Sequence, residues 1–154
     1  MFDTFNGLPV HALVLHAAVV LVPLMAVLTV AVALVDRLRV RGAWPVVAGN
    51  VVTLATVFVT QQSGEQLQAR LPPTPLIQAH ADLGGAMTVF MIGLLVASVL
   101  VALVRRRTGG VVMAMAALSV VAAVAATVWV VRVGDSGATA VWKDVIVSTT
   151  QRVG

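Results

Sequence analysis

The sequence predicts an all-α integral membrane protein: a bundle of four transmembrane helices, both termini extracytoplasmic, with a short amphipathic helix after the fourth span. Three observations carry this expectation. Of 154 residues, 60% are hydrophobic and only 10% charged, and the mean hydropathy is +1.03, so the chain has too little polar surface for a soluble domain of this length. The apolar residues fall into four runs, each close to the roughly 20 residues that cross a hydrocarbon core of about 30 Å. No run shows the alternation of a membrane β-barrel strand, and backbone groups in lipid must be satisfied within the segment, which leaves helices.

The first helix is expected at about 10–35. The stretch before it, Met1–Pro9, contains Asp3 and no Lys or Arg. It therefore lacks the basic start of a signal peptide, and the run is too long for one. Pro23 removes a backbone donor and predicts a kink near the middle. The second helix is expected at about 44–62; its apolar centre is short, and Trp44, Gln61 and Gln62 extend it towards the headgroups. Gly49, Asn50, Thr53, Thr56 and Thr60 recur at spacings of three and four, a small and hydroxylated face suited to close helix contact.

The polar segment Gln61–Pro75 ends in Pro-Pro-Thr-Pro and reads as a connector that opens with a helical turn and finishes extended. The third helix is expected at about 79–104 and the fourth, crowded with alanine, at about 110–132. Gly134 then reads as a break. Ala138, Val141, Trp142, Val145 and Ile146 follow at helical spacing, which predicts an amphipathic helix at 137–148 lying on the membrane surface; a strand over Val145–Ser148 is the alternative. Trp44, Trp129 and Trp142 read as interfacial anchors. The residue identities show no internal repeat, and residues 1–154 are expected to form one domain.

Orientation follows from charge. Arg37, Arg39 and Arg41 lie between the first two runs, and Arg105, Arg106 and Arg107 between the last two. Both clusters are expected on the cytoplasmic side of a bacterial inner membrane, which makes the chain a multi-pass protein with its N-terminus and C-terminus outside. The net charge of +4 could suggest nucleic acid, but the basic residues form no stripe with interleaved aromatics. The expected partner is the lipid bilayer, with a homo-oligomer or a larger membrane complex open.

This topology gathers the three histidines at the extracytoplasmic end. His11 and His16 enter the first helix and His80 opens the third, with Ser63, Glu65, Asp82 and Asp135 at the same end. His16 sits within the apolar run, where an unpaired polar group is costly, so it is expected to face the bundle. His11 and His16 are five residues apart, about 140° around a helix of 3.6 residues per turn, so they do not share a face as an i, i+4 pair would. The chain has no cysteine, which leaves imidazole and carboxylate as the available ligands. Neutral imidazole ligates zinc, copper and iron, and two imidazoles can hold a haem iron axially. His11, His16 and His80 are therefore the expected metal or haem ligands, with Ser63, Glu65, Asp82 and Asp135 as further ligands or supporting groups.

The stretch Gly7-Leu8-Pro9-Val10-His11 with His16, then Ser63-Gly64-Glu65, His80 with Gly84, and Arg132-Val133-Gly134-Asp135-Ser136-Gly137-Ala138 with Trp142, resembles the four-helix bacterial membrane family catalogued as domain of unknown function 2231. The resemblance covers nearly the whole chain and implies its fold; it also implies a redox or haem-linked role. That family has a histidine where this chain has Asp135, a departure that leaves room for one haem b or one mixed metal site rather than two bis-histidine haems.

Three functions are compatible with these residues. The first is a redox or electron-transfer protein that binds haem or a transition metal (zinc, iron or copper). The second is an accessory or structural subunit with no cofactor, whose histidines form a polar network. The third is a metal-dependent hydrolase at the bilayer surface. No residue pattern requires catalysis. No ionisable residue falls at the middle of a run, which disfavours a transporter.

Overall fold

The computed structural model describes residues 4–5 and 8–153, with side chains described for 10–143. Four helices follow in order: α1 (Val10–Leu34), α2 (Asp36–Gln68), α3 (Pro75–Leu103) and α4 (Gly110–Val153). All four are long and apolar enough to cross a membrane. The only departure from an all-helical chain among the described residues is a small antiparallel pair, β1 (Thr4–Phe5) with β2 (Leu8–Pro9), in which Thr4 faces Pro9 and Phe5 faces Leu8.

The helices close into a four-membered ring. α1 packs on α2 and α4, α3 packs on the same two, and α1 and α3 meet only sparsely across the diagonal. The interior is built from Val22, Met25, Met91, Leu94, Val101 and Ala126. Outward-facing valines such as Val27, Val89 and Val121, each about two-thirds exposed, present an apolar surface to lipid. Since lipid is as apolar as these side chains, close packing and interhelical hydrogen bonds must hold the bundle together. The small face expected on α2 fits that requirement: Asn50, Thr53 and Thr60 are buried, Gly49 lies against Met25, and Asn50 Nδ2 donates to Thr29 Oγ1 of α1 at 3.0 Å.

Helix boundaries differ from expectation at three places, each for a physical reason. α2 begins at Asp36, so Arg37, Arg39 and Arg41 lie in its first turns and a single residue, Val35, joins it to α1. Arginine is a good helix former, and Asp36 in the first turn complements the helix dipole. Arg39 is buried; one guanidinium nitrogen donates to the Ala33 carbonyl at the end of α1 at 3.1 Å, and another pairs with Asp36. At the other end α2 runs on to Gln68. α3 starts at Pro75, where Thr74 caps the helix by accepting from Ile77 N at 3.2 Å. A Thr cap before a proline in the first turn is a helix start; it lay hidden in the Pro-Pro-Thr-Pro run.

The third difference is α4. It does not break at Gly134 into a separate surface helix at 137–148, and Val145–Ser148 is helical rather than a strand; one helix runs from Gly110 to Val153. A glycine costs a helix about 1 kcal/mol, too little to stop one this long. Trp129 also departs from the anchor role. It is half-buried, its indole N–H donates to the Leu83 carbonyl at 2.9 Å, and it stacks on Phe90 with centroids 4.5 Å apart. Trp44 and Trp142 are exposed. α1 continues helical through Pro23.

Candidate functional site

The polar contacts between helices concentrate at the histidine end. Gln61 of α2 donates to the Gly84 carbonyl of α3 at 2.6 Å and to the Gly85 carbonyl at 3.2 Å, and accepts from Thr88 Oγ1 at 2.6 Å. Gln61→Ala is expected to cost about 1 kcal/mol, since interhelical bonds in membranes average a fraction of that each; a lowered unfolding midpoint in mild detergent would register it.

His11 and His80 stand on the two diagonal helices and meet across the bundle. Both are half-buried, with ring centroids 6.5 Å apart and planes at 74°. His11 Nδ1 lies 2.9 Å from the Thr60 carbonyl oxygen of α2. A carbonyl only accepts, so Nδ1 carries the proton. Ser63 Oγ donates to the same carbonyl at 3.0 Å and lies 3.5 Å from His11 Nδ1. His80 Nδ1 lies 3.0 Å from Ser136 Oγ of α4. That hydroxyl spends its own proton on the Val133 carbonyl at 2.8 Å, so here too Nδ1 is the donor. Neutral rings with Nδ1 protonated carry their lone pair on Nε2. No hydrogen bond reaches either Nε2 among the described residues.

His16 is placed otherwise than expected. Its ring is exposed and bonds the Ala12 carbonyl of its own helix. With His11 turned inward, the step of about 140° carries His16 to the outside of α1. The carboxylates also stand apart from the imidazole pair. Glu65 and Asp135 are exposed, and Asp82, also exposed, accepts from Gln78 Nε2 at 2.8 Å on its own helix. Glu65 lines an open pocket with Gln68, Thr74 and Gln78, away from the histidines. Among the described residues no group of three or more His, Cys, Asp or Glu side chains could hold a metal ion. Of the expected set, the structure brings together His11, His80 and Ser63.

Sequence reasoning missed Thr60, Ser136, Gly64 and Gly137. Glycine at these positions suits either a turn or a close approach; the structure shows the close approach, with both inside helices beneath an imidazole. A Cβ on Gly64 would stand 3.0 Å from His11 Cε1, and one on Gly137 3.0 Å from His80 Cε1. The available signal was the recurrence of Ser-Gly at Ser63-Gly64 and Ser136-Gly137; all three histidines are followed by alanine, so that dipeptide does not single out the pair.

No curated protein and no solved structure matches the chain. Residues 7–150 match the model of a family described as "Predicted membrane protein (DUF2231)". That match spans all four helices and both histidines of the pair, and the chain belongs to this family.

Proposed function

We propose that the protein is a redox or electron-transfer protein of the bacterial inner membrane in which His11 and His80 ligate one transition-metal centre, either a haem b iron or a directly bound ion. One observation carries this reading: both Nδ1–H groups are committed to protein oxygens, and both Nε2 atoms are left to accept. Anchoring one ring nitrogen to a carbonyl or hydroxyl is how proteins orient a ligand imidazole for a metal on the other.

Separation adds a second support. With a metal–nitrogen bond of about 2.0 Å and a ring centre roughly 1.1 Å beyond the nitrogen, imidazoles on opposite sides of one ion have centres roughly 6 Å apart. At a tetrahedral angle the centres would be roughly 5 Å apart. The observed 6.5 Å leaves the two rings close enough for one shared centre between them. Two protein ligands also suit haem iron, which takes its other four from the porphyrin. When bound, such a centre supplies one-electron chemistry; the residues of this chain orient two lone pairs and hold them at the edge of the apolar core. The hydrolase reading lacks its third ligand, while the accessory-subunit reading keeps the same two rings as a polar bridge between helices.

An absorption spectrum and metal analysis on one sample purified in mild detergent test the proposal. A Soret band or a stoichiometric metal supports it; a folded protein with neither leaves the bridge between helices as the role of the pair. The arginine-rich end, with Arg37, Arg41, Arg106 and Arg107 exposed, is assigned to the cytoplasm by the excess of positive charge in cytoplasmic loops. In intact cells a membrane-impermeant maleimide is then expected to label a Glu65→Cys variant and to spare Arg106→Cys until the membrane is opened. The reverse pattern would invert the topology.

A further inference from the structure

We propose that the protein is a duplicated helical hairpin, and that the duplication builds the imidazole site as two equivalent halves. In this arrangement Gly64 and Gly137, with the Ser63/Thr60 and Ser136/Val133 pairs, are the positioning residues that aim the two Nε2 atoms at one electron-deficient centre on the axis between the halves. The nature of that centre rests on the function proposed above; the two half-sites do not.

The first support is register. The shift along the chain that carries His11 onto His80 also carries Ala18, Val22, Met25, Thr29, Val32 and Ala33 onto Met87, Met91, Leu94, Ser98, Val101 and Ala102. All of these are buried. The shift that carries Ser63 onto Ser136 likewise carries Ala43, Val46, Asn50, Thr53, Val57 and Thr60 onto Ala116, Ser119, Ala123, Ala126, Val130 and Val133, again all buried. Any two amphipathic helices can be brought into phase by some shift within one turn. Here the shift is set beforehand by the polar residues, and six of the seven buried positions of α1 and of α3 follow it; the exceptions are Ala26, which falls on the part-buried Leu95, and Ala97, which falls on the exposed Leu28.

The second support is packing. α1 lies on α2 as α3 lies on α4, and α2 lies on α3 as α4 lies on α1, the pattern of two like hairpins around an axis along the bundle. In a membrane this is a parallel repeat, with both copies crossing in the same sense. Sequence identity hides it because lipid-facing and core positions accept many apolar residues, so register survives where identity does not.

The third support is the chemistry of each half. Thr60 and Val133 are equivalent by the second shift, and each carbonyl takes the hydroxyl proton of the serine three residues on. Each imidazole then lies with Cε1 over the glycine after that serine, at matching distances from a would-be Cβ. One half donates Nδ1–H mainly to the carbonyl and the other to the serine oxygen, two settings of the same cradle. Each Ser-Gly pair thus has a reason: serine completes the hydrogen-bonding surface under the ring, and glycine lets the ring approach the helix.

The test begins on the full chain, metal-free, with histidine labelled with nitrogen-15 and embedded in lipid nanodiscs. Both His11 and His80 are expected to show a protonated Nδ1 and a bare Nε2. Gly64→Ala should shift the His11 signals and spare those of His80, and Gly137→Ala should do the converse. Gly84→Ala, with nothing near its Cβ, should move neither ring by steric contact. Ser136→Ala adds no atoms and frees the Val133 carbonyl to accept from His80 Nδ1, so the His80 signals should shift with Nδ1 still protonated while those of His11 stay, which covers the case in which an added methyl unfolds the chain.

Copper ions and haemin, titrated separately, give the second readout. Gly64→Ala and Gly137→Ala should weaken binding by similar factors, each on the order of 10- to 100-fold, as for other groups that orient metal ligands. A protonated Nε2 on either ring, or one glycine variant silent in both readouts, would overturn the two equivalent halves. The expected tautomers with no binding of either probe would leave the halves standing and remove the metal centre.

Discussion

Replacing either His11 or His80 by alanine is expected to reduce bound haem or metal to background, while His16→Ala keeps the wild-type amount. The asymmetry comes from the helix surface. His11 and His80 turn inward, 6.5 Å apart, and removing one leaves a single imidazole where no carboxylate or third histidine is at hand among the described residues. His16 points away from the pair and is held by its own backbone. Because the two rings also tie α1 to α2 and α3 to α4, folding must be read alongside occupancy. Each alanine variant is expected to lower the unfolding midpoint modestly, by roughly the worth of one interhelical bond, and to remain a folded protein. Ligand retained by both His11→Ala and His80→Ala, or lost only with His16, would end the assignment of the pair.

The largest effect on stability is expected at Gly49. A Cβ there would stand 2.6 Å from Met25 Cε and 2.8 Å from its sulfur, and Met25 is itself buried in the core between the helices. Gly49→Leu should therefore force α1 and α2 apart, costing about 1–3 kcal/mol as overpacking usually does. Gly49→Ala should cost less, because the far end of a methionine side chain can swing aside. The mechanism is checked by a double-mutant cycle: Met25→Ala opens the space and should restore most of the loss. Gly93 provides the control. It is exposed and has nothing within 4 Å of a Cβ, so Gly93→Leu should leave the unfolding midpoint in detergent almost unchanged.

The four spans were legible because length and composition govern entry into a bilayer, and each run is long enough whatever its neighbours. Boundaries were less so. The segment with Arg37, Arg39 and Arg41 reads as a loop by its charge, but arginine is content in a helix and Arg39 finds the Ala33 carbonyl at a helix end, a partner visible only after folding. Gly134 looks like a break because glycine usually ends helices; in α4 the glycine with a steric reason is Gly137, and that reason lies on α3. The histidine end was legible from topology, but not which histidines meet. That depended on the phase of α1, which His11 sets by bonding to Thr60 and His16 reads out by facing outward. A polar residue inside an apolar run need not point inward if it lies near enough to a carbonyl of its own turn.

The single residue between α1 and α2 bears on how the bundle can move. With only Val35 outside the helices and Arg39 bonded across the bend to the Ala33 carbonyl, α1 and α2 have little freedom to slide or rotate independently. The link between α3 and α4 is longer and leaves that pair more play. The first hairpin therefore behaves as the stiff half of the molecule, and relative motion is expected on the side of the second.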